Sequence, residues 1–400
     1  LAECASRGIE SWKRARADDD FEAFLPSLER TIDLNRRKAE CLGVPEGGDV
    51  LYDALLDEFE PGMTASRTEA IFAPLREFTV DLVARVSSSG SEVDTSAVRH
   101  LFPLENQREL VRSLASAVGY DLEAGRIDDA THPFCEGIAP GDTRITNRYR
   151  EDGWADSVSS GLHETGHALY EQNLPKGEHF GEPLGSAISL GIHESQSRML
   201  ENLVGRSRPF WEWAVERARG VLGPGLEGTS PEQIHRALNV VEPSFIRVEA
   251  DEVTYNLHVM LRFDLERAML SGDLACADLP GAWNDRMKRD FGLDVPSDRE
   301  GCLQDIHWSM GAVGYFATYS FGNLYSAQFW EAMGEEIRDR DELIRRGDFA
   351  PIIEWLREKI HSQGRRFKAG ELCERVTGTP LSPEPLKRHL EEKVRTVYGV

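Results

Sequence analysis

Ser159-Ser160-Gly161-Leu162-His163-Glu164-Thr165-Gly166-His167-Ala168-Leu169-Tyr170 is the stretch on which the reading of this chain turns. Val158, Leu162, Leu169 and Tyr170 give a partly apolar helical pattern, and no proline interrupts residues 156 to 173, so a helix is predicted here. Positions four apart lie on the same helix face, so His163 and His167 reach one ion with Glu164 beside them. That is the H-E-x-x-H pattern of a zinc site. Two histidines on an ordinary helix are the plain alternative, and a five-residue pattern alone does not remove it.

The rest of the chain sets bounds on that reading. Its 400 residues suffice for a large core and, at a soft prior of roughly 150 residues per domain, for two or three lobes. An apolar content of 40% with 29% charged residues is ordinary for a soluble globular protein. The net charge of −23 argues against nucleic acid or an anionic membrane as partner. Cysteines at 4, 41, 135, 276, 302 and 373 form no C-x-x-C pair, so neither a zinc knuckle nor a disulfide framework is indicated. A reducing, cytoplasmic compartment is expected. No run of about 18 apolar residues marks a membrane span. The chain begins at Leu1 in a stretch that is neither an initiator methionine nor a signal peptide, which reads as a truncation.

Most of the chain has helical spacing. Phe21, Phe24, Leu25, Leu28, Ile32 and Leu34 form one stripe behind the capping run at 18 to 20, and Ile71, Leu75, Phe78, Leu82 and Val86 form another. A third helix spans about 105 to 118. The texture changes at 131 to 149, where prolines and glycines punctuate the chain and 143 to 149 alternates as a strand would, predicting a hairpin or short sheet before the metal helix. Helices are expected downstream over about 183 to 204, 208 to 222, 231 to 241 and 245 to 270. The glycines and aromatics of 311 to 325 read as an irregular segment near function. Helical runs over 328 to 346 and 352 to 363, and a polar helix ending near Tyr398, complete the chain.

A catalytic zinc takes three protein ligands and keeps a fourth position for water, so the two histidines need a partner. The metzincin spacing would put glycine at 170 and histidine at 173, where Tyr170 and Asn173 stand. A glutamate from a following helix is the alternative, with Glu171, Glu178, Glu182, Glu194 and Glu201 as candidates. Glu194, in LGIHESQSRMLEN, is preferred, because Leu190, Ile192 and Met199 can pack its helix. His193 is the second choice. With His163, His167 and Glu194 as ligands and Glu164 as general base, the chemistry is amide hydrolysis by an activated water. An oxyanion partner, a tyrosine, histidine or arginine, is also required.

Further blocks accompany the zinc motif: His132-Pro133-Phe134, Asp142-Thr143-Arg144-Ile145-Thr146, His193-Glu194-Ser195-Gln196, Ile246-Arg247-Val248-Glu249-Ala250-Asp251 and Gly301-Cys302-Leu303-Gln304-Asp305-Ile306-His307-Trp308. In this order they resemble the signature blocks of the carboxypeptidase Taq family of thermostable-type metallocarboxypeptidases, with weaker likeness at 51 to 63 and 355 to 364. The resemblance implies a mainly α, zincin-like fold with a deep groove and a small β-sheet at its wall, forming one catalytic domain over 1 to 400 with two lobes flanking the groove. It also implies zinc or cobalt as cofactor, peptides with a free C-terminus as substrates, and a homodimer. Carried over block by block, it assigns His163, His167 and Glu194 to the metal and Glu164 to the base. Arg247 falls to the substrate's terminal carboxylate, which a planar fork of donors matches; an ion pair with Glu249 or Asp251 is the alternative. Gln304 and His307 belong to the blind end of the groove; Tyr315 and Tyr319 supply oxyanion or amide-contacting hydroxyls with Tyr319 ahead, an aromatic core role being the alternative; and His132 and Arg144 lie at the sheet and its loop beside the cleft, where they contact substrate or, equally, shape the wall. Two departures stand out. Ala317 replaces the family's usual proline, and the family has further helices ahead of residue 1, which bears on the lid, the dimer interface and full activity.

The leading function is therefore a metallocarboxypeptidase. A helical zinc oligopeptidase or endopeptidase shares the chemistry, and a non-catalytic scaffold with a structural zinc would leave Glu164 without a role.

Overall fold

The computed structural model describes residues 1 to 400 and is helical almost throughout. Along the chain run α1 (Ala2–Asp18), α2 (Phe21–Leu42), α3 (Leu51–Phe59), α4 (Ala65–Ser89) and α5 (Leu104–Ala117). Strands β1 (Gly125–Asp129), β2 (Cys135–Ala139) and β3 (Asp142–Asn147) follow, then α6 (Trp154–Asn173), the short α7 (Lys176–His179), α8 (Leu190–Arg198), α9 (Arg208–Leu222) and α10 (Pro231–Leu238). The remainder comprises α11 (Glu252–Ser271), α12 (Leu279–Phe291), α13 (Ala317–Glu336), α14 (Arg340–Arg345), α15 (Ala350–Lys359), α16 (Ala369–Thr377) and α17 (Glu384–Tyr398). No helix is long and apolar enough to cross a membrane.

Two compact units emerge, each built from two chain segments: Leu1–Ser89 with Val241–Ser320, and Gly90–Val240 with Phe321–Val400. In the first, α11 is the core helix, buried on nearly every face, including Leu257, Val259, Met260, Leu261 and Phe263. Tyr52 and Phe72 meet Phe263 edge to face, at 5.5 and 5.4 Å between ring centroids. Glu266 on α11 is fully buried and accepts from the Tyr52 hydroxyl (3.0 Å), the Trp308 indole (2.9 Å) and the Gly314 amide (3.1 Å). These three donors satisfy a carboxyl that burial pushes up to about 7.

In the second unit α6 packs on β2 and β3, on α5 and on α8. The sheet has the order β1-β3-β2, with β3 parallel to β1 and antiparallel to β2. The expected hairpin is β2–β3, closed at Pro140-Gly141, where Gly141 has φ +76° as a tight turn needs. Strand β1 escaped prediction because Gly-Arg-Ile-Asp-Asp carries one apolar residue and no alternation. Thr143, Ile145 and Asn147 are buried on the α6 side, where Asn147 bonds Ser157 and Ser160.

Three other expectations are corrected. The helix expected over 183 to 204 is a 3-10 turn, then α8 capped by the Ser189 hydroxyl, then a π-helical stretch, Met199–Gly205. The helix expected over 245 to 270 begins only at Glu252, because the Asp251 carboxylate accepts from the Val253 and Thr254 amides and ends the preceding turn, Arg247–Glu249. The 311 to 325 segment is irregular only as far as 316, and α13 carries the remainder.

Helices α6 and α8 approach at Gly166. A Cβ there would lie 2.4 Å from the Gln196 carbonyl oxygen and 2.6 Å from the Ser197 Cα, backbone atoms with no room to yield. Gly220 on α9 has nothing within 4 Å. Gly166→Ala is therefore expected to destabilise by about 1–3 kcal/mol through overpacking, whereas Gly220→Ala gains up to about 1 kcal/mol of helix propensity. Urea midpoints of the two variants measure the difference, and equal effects at both positions would refute close approach as the reason for Gly166.

Candidate metal centre and arginine cluster

The helix of the opening motif presents both imidazoles to one side, and α8 delivers Glu194 to meet them. The ligand atoms of His163, His167 and Glu194 all lie within 4.8 Å of one another. Glu194 Oε2 stands 3.6 Å from His163 Nε2 and 3.3 Å from His167 Nε2. Bonds of about 2.0–2.1 Å to a tetrahedral ion imply ligand-to-ligand edges of about 3.3 Å, so the two separations from Glu194 to the histidines are close to the edges of such a site.

Each donor is fixed from behind. His163 Nδ1 donates to Glu201 Oε2 at 2.9 Å and His167 Nδ1 to the His193 carbonyl at 3.1 Å, which leaves both Nε2 lone pairs facing Glu194. His193 sits beside His167 as a partner, its Nε2 donating to Glu171 Oε1 at 2.9 Å. Glu171 also pairs with Lys176. Neither His193 nor Glu171 therefore belongs to the donor trio. Arg198 joins the two acids of α8 and the π-helix, with Nε 2.7 Å from Glu194 Oε1 and Nη1 3.3 Å from Glu201 Oε2. Arg206 takes the other Glu201 oxygen at 2.9 Å. Against the upward push of burial, Arg198, His163 and Arg206 hold the Glu201 carboxyl at about 2. Burial and the neighbouring His193 lower His167 to about 3, keeping its ring neutral and able to ligate.

Glu164 differs from these acids. It is 5% exposed, joins no ion pair, and its Oε2 is buried without a hydrogen-bond partner. Burial lifts its carboxyl to about 7. A buried carboxylate oxygen left open beside three converging donors fits a site that receives an ion and a water. Gly322 of α13 is a further requirement that sequence reasoning missed, since a Cβ there would lie 2.3 Å from Glu194 Cγ.

The remaining predicted residues divide. Arg247, Gln304, His307, Tyr315 and Tyr319 come together in the first unit. Arg247 is 5% exposed; its Nε and Nη2 donate to Asp305 Oδ1 at 3.1 and 2.9 Å, and its Nη1 to the Tyr255 hydroxyl at 3.0 Å. Its ion-pair partner is therefore Asp305 rather than Glu249 or Asp251. Its guanidinium lies 4.8 Å from the Tyr319 ring centre, and the Tyr319 hydroxyl bonds His307 Nε2 at 3.1 Å. Tyr315 packs edge-on against Tyr319 and Phe59. The Gln304 amide is engaged by backbone, donating to the Phe245, Glu300 and Gly301 carbonyls and accepting from the Arg247 amide at 2.9 Å, so it braces Arg247. His132 lies in the exposed bend before β2. Arg144 pairs with Asp142 on the sheet face turned away from α6, because alternation puts Thr143 and Ile145 on the other side.

Residues 1 to 394 match the family model described as carboxypeptidase Taq (M32) metallopeptidase. The chain is 48% identical over 406 aligned residues to thermostable carboxypeptidase 1 of Thermus thermophilus, covering 100% of this chain and 79% of that protein. It is 39% identical to carboxypeptidase 1 of Bacillus subtilis over 98% of this chain and 78% of that one. The crystal structure of an M32 carboxypeptidase from Deinococcus radiodurans superposes with a TM-score of 0.95 at 40% identity, covering 100% of this chain and 80% of that one. The chain thus belongs to the carboxypeptidase Taq (M32) metallopeptidase family and is a metal-dependent carboxypeptidase.

Proposed function

We propose that His163, His167 and Glu194 hold a zinc ion, that Glu164 is the general base, and that Arg247 reads the substrate's terminal carboxylate. The observation that carries the first two assignments is the open, buried Glu164 oxygen beside three donors already oriented from behind. A divalent cation bound there supplies Lewis acidity, polarising a carbonyl and acidifying water. Glu164 takes the proton of the attacking water on its carboxylate, the water oxygen bonds to the scissile carbonyl carbon, and Glu164 returns that proton to the amine nitrogen as the C–N bond breaks. A carboxyl near 7 suits both halves of this exchange at neutral pH.

Arg247 retains N–H groups beyond those engaged by Asp305 and Tyr255, because a guanidinium has five and three are engaged. These are the proposed contacts to the C-terminal carboxylate. Tyr319, oriented by His307, is the proposed donor to the substrate amide oxygen. Tyr315 contributes an aromatic wall, and Gln304 acts by holding the Arg247 backbone. Cobalt is the alternative ion, since it accepts the same donors. A homodimer is the proposed assembly, resting on the family likeness, and six free cysteines support a reducing cytoplasmic setting. An oligopeptidase acting on internal bonds is the second reading; it predicts indifference to the C-terminal carboxylate.

Four outcomes are expected. Chelation abolishes hydrolysis, and Glu201→Gln, which weakens the His163 orientation, lowers metal affinity about 10–100-fold in a chelator competition; unchanged affinity would remove Glu201 from the site. Glu164→Gln keeps its metal content while kcat falls about 10²–10⁴-fold, and a variant that retains activity would disqualify Glu164 as base. Arg247→Ala loses two charge-assisted bonds of about 1.5–3 kcal/mol each, so kcat/KM on free peptides drops at least about 10²-fold while amidated peptides are cut no worse. If the parent cuts amidated and free peptides alike, the oligopeptidase reading replaces this one.

A further inference from the structure

The cluster around Arg247 contains a second arginine that no part of the proposed reaction uses. Arg262 on α11 is 0% exposed, its guanidinium 4.6 Å from the Trp283 ring centre and 5.3 Å from that of Phe316. Its Nη1 donates to the His258 carbonyl one turn back at 2.7 Å, and its Nε and Nη2 lie 2.6 and 2.5 Å from Asp305 Oδ2. Asp305 is therefore divided: Oδ1 serves Arg247 and Oδ2 serves Arg262.

Stability alone does not account for this arrangement. A buried ion pair seldom stabilises more than well-packed apolar residues of similar size, and Asp305 already has one cation in Arg247. Here a second guanidinium is buried inside an otherwise apolar run, Val259-Met260-Leu261-Arg262-Phe263. The nearest further acid, Glu266 one turn along α11, offsets it only in part: the carboxyl is engaged by Tyr52, Trp308 and Gly314, and burial pushes it up to about 7 against the lowering pull of Arg262. His258 is kept neutral by burial and by the two arginines. His307 Nδ1 stands 3.9 Å from Asp305 Oδ1 and adds no negative charge. Two guanidiniums against one carboxylate leave the trio with one net positive charge.

We propose that Arg262 is a positioning residue for recognition of the substrate's C-terminal carboxylate: by holding Asp305 from behind, it leaves Arg247 oriented yet cationic. The inference rests on the reading of Arg247 given above. Without Arg262, Asp305 would neutralise Arg247 and repel an arriving carboxylate at close range. With it, Asp305 fixes the side edge of the Arg247 fork while the trio as a whole still attracts an anion.

The test is whether KM follows the charge of the trio. In the metal-loaded enzyme, Arg262→Gln (net zero) is expected to raise KM for peptides with a free C-terminus about 10–100-fold, leaving kcat within about threefold and the cutting of amidated peptides unchanged. Adding Asp305→Asn restores the single positive charge, and because an amide oxygen there still accepts from the Arg247 fork, KM is expected to fall at least about threefold from that of R262Q. A purely structural Arg262 would lower kcat and metal content together and show no rescue. Should R262Q fail to fold, D305N compared with D305N/R262Q makes the same measurement without an unpaired buried carboxylate, and KM is expected to rise about 3–10-fold from the first to the second. Unchanged KM in R262Q, absence of rescue, or equal KM in that second pair would overturn the proposal. Arg247→Ala with its preference for free peptides intact would instead overturn the reading of Arg247, whatever R262Q does.

Discussion

Glu194 meets the two histidines because the backbones of α6 and α8 come into near contact. Both histidines are fixed by their own helix, but an ion held between them would need a third donor from outside it, and a carboxylate side chain has little reach. The approach is made at Gly166, inside the motif, where any side chain would strike the carbonyl of Gln196. Gly322 of α13 relieves the same crowding from behind Glu194. The two variable positions of the H-E-x-x-H pattern are therefore not equivalent here: Thr165 bonds its own helix through the Gly161 carbonyl, while Gly166 sets how near α8 lies.

Charge compensation explains why the donors are ready. Around the candidate metal centre Glu171, Glu194 and Glu201 are each matched by a cation, from Lys176, Arg198 and Arg206 respectively, with Arg198 shared. Glu164 is the acid without one. Burial therefore acts on it unopposed by any ion pair, and its affinity for a proton rises into the range where it can both take and give one. The cluster in the first unit has the reverse imbalance, two arginines against Asp305. In a chain of net charge −23, an excess of buried positive charge is a local feature that global composition does not reveal.

How much of this was legible in the sequence depended on whether the signal was local. Helix α6, its histidines and the β2–β3 hairpin follow from spacing and turn residues within about 30 positions. Glu194 was preferred from the packing residues around it, and the structure brings it into the trio. Where the cause lies in distant packing, the reading failed. The glycines and aromatics of 317 to 325 suggested a loop, yet they form the start of α13, with Gly322 there because Glu194 presses against it. Arg247 was read as a member of a continuous helix, whereas the Asp251 cap confines it to a single turn. Glu201 was visible only as a possible ligand, because nothing in one dimension distinguishes an acid that touches an ion from one that orients a histidine. Arg262 had a signal that passed unread: one charge in an apolar helical run implies a buried partner.

That partner bears on how specificity arises in a reaction of this class. Hydrolysis of an amide is indifferent to what lies beyond the scissile bond, so an exopeptidase must obtain its selectivity from a group that distinguishes a carboxylate from a continuing chain. A lone buried arginine would do so strongly but would be costly to desolvate and free to swing. Pairing it with Asp305 removes both problems and creates a third, since the pair is neutral. A second arginine on the far oxygen of the same carboxylate restores the charge while keeping the orientation. The aromatic faces of Trp283 and Phe316 against Arg262, and of Tyr319 against Arg247, then replace part of the hydration that each guanidinium gives up. On this argument the invariant to look for is the two-to-one ratio of buried guanidiniums to carboxylate, rather than Arg247 by itself.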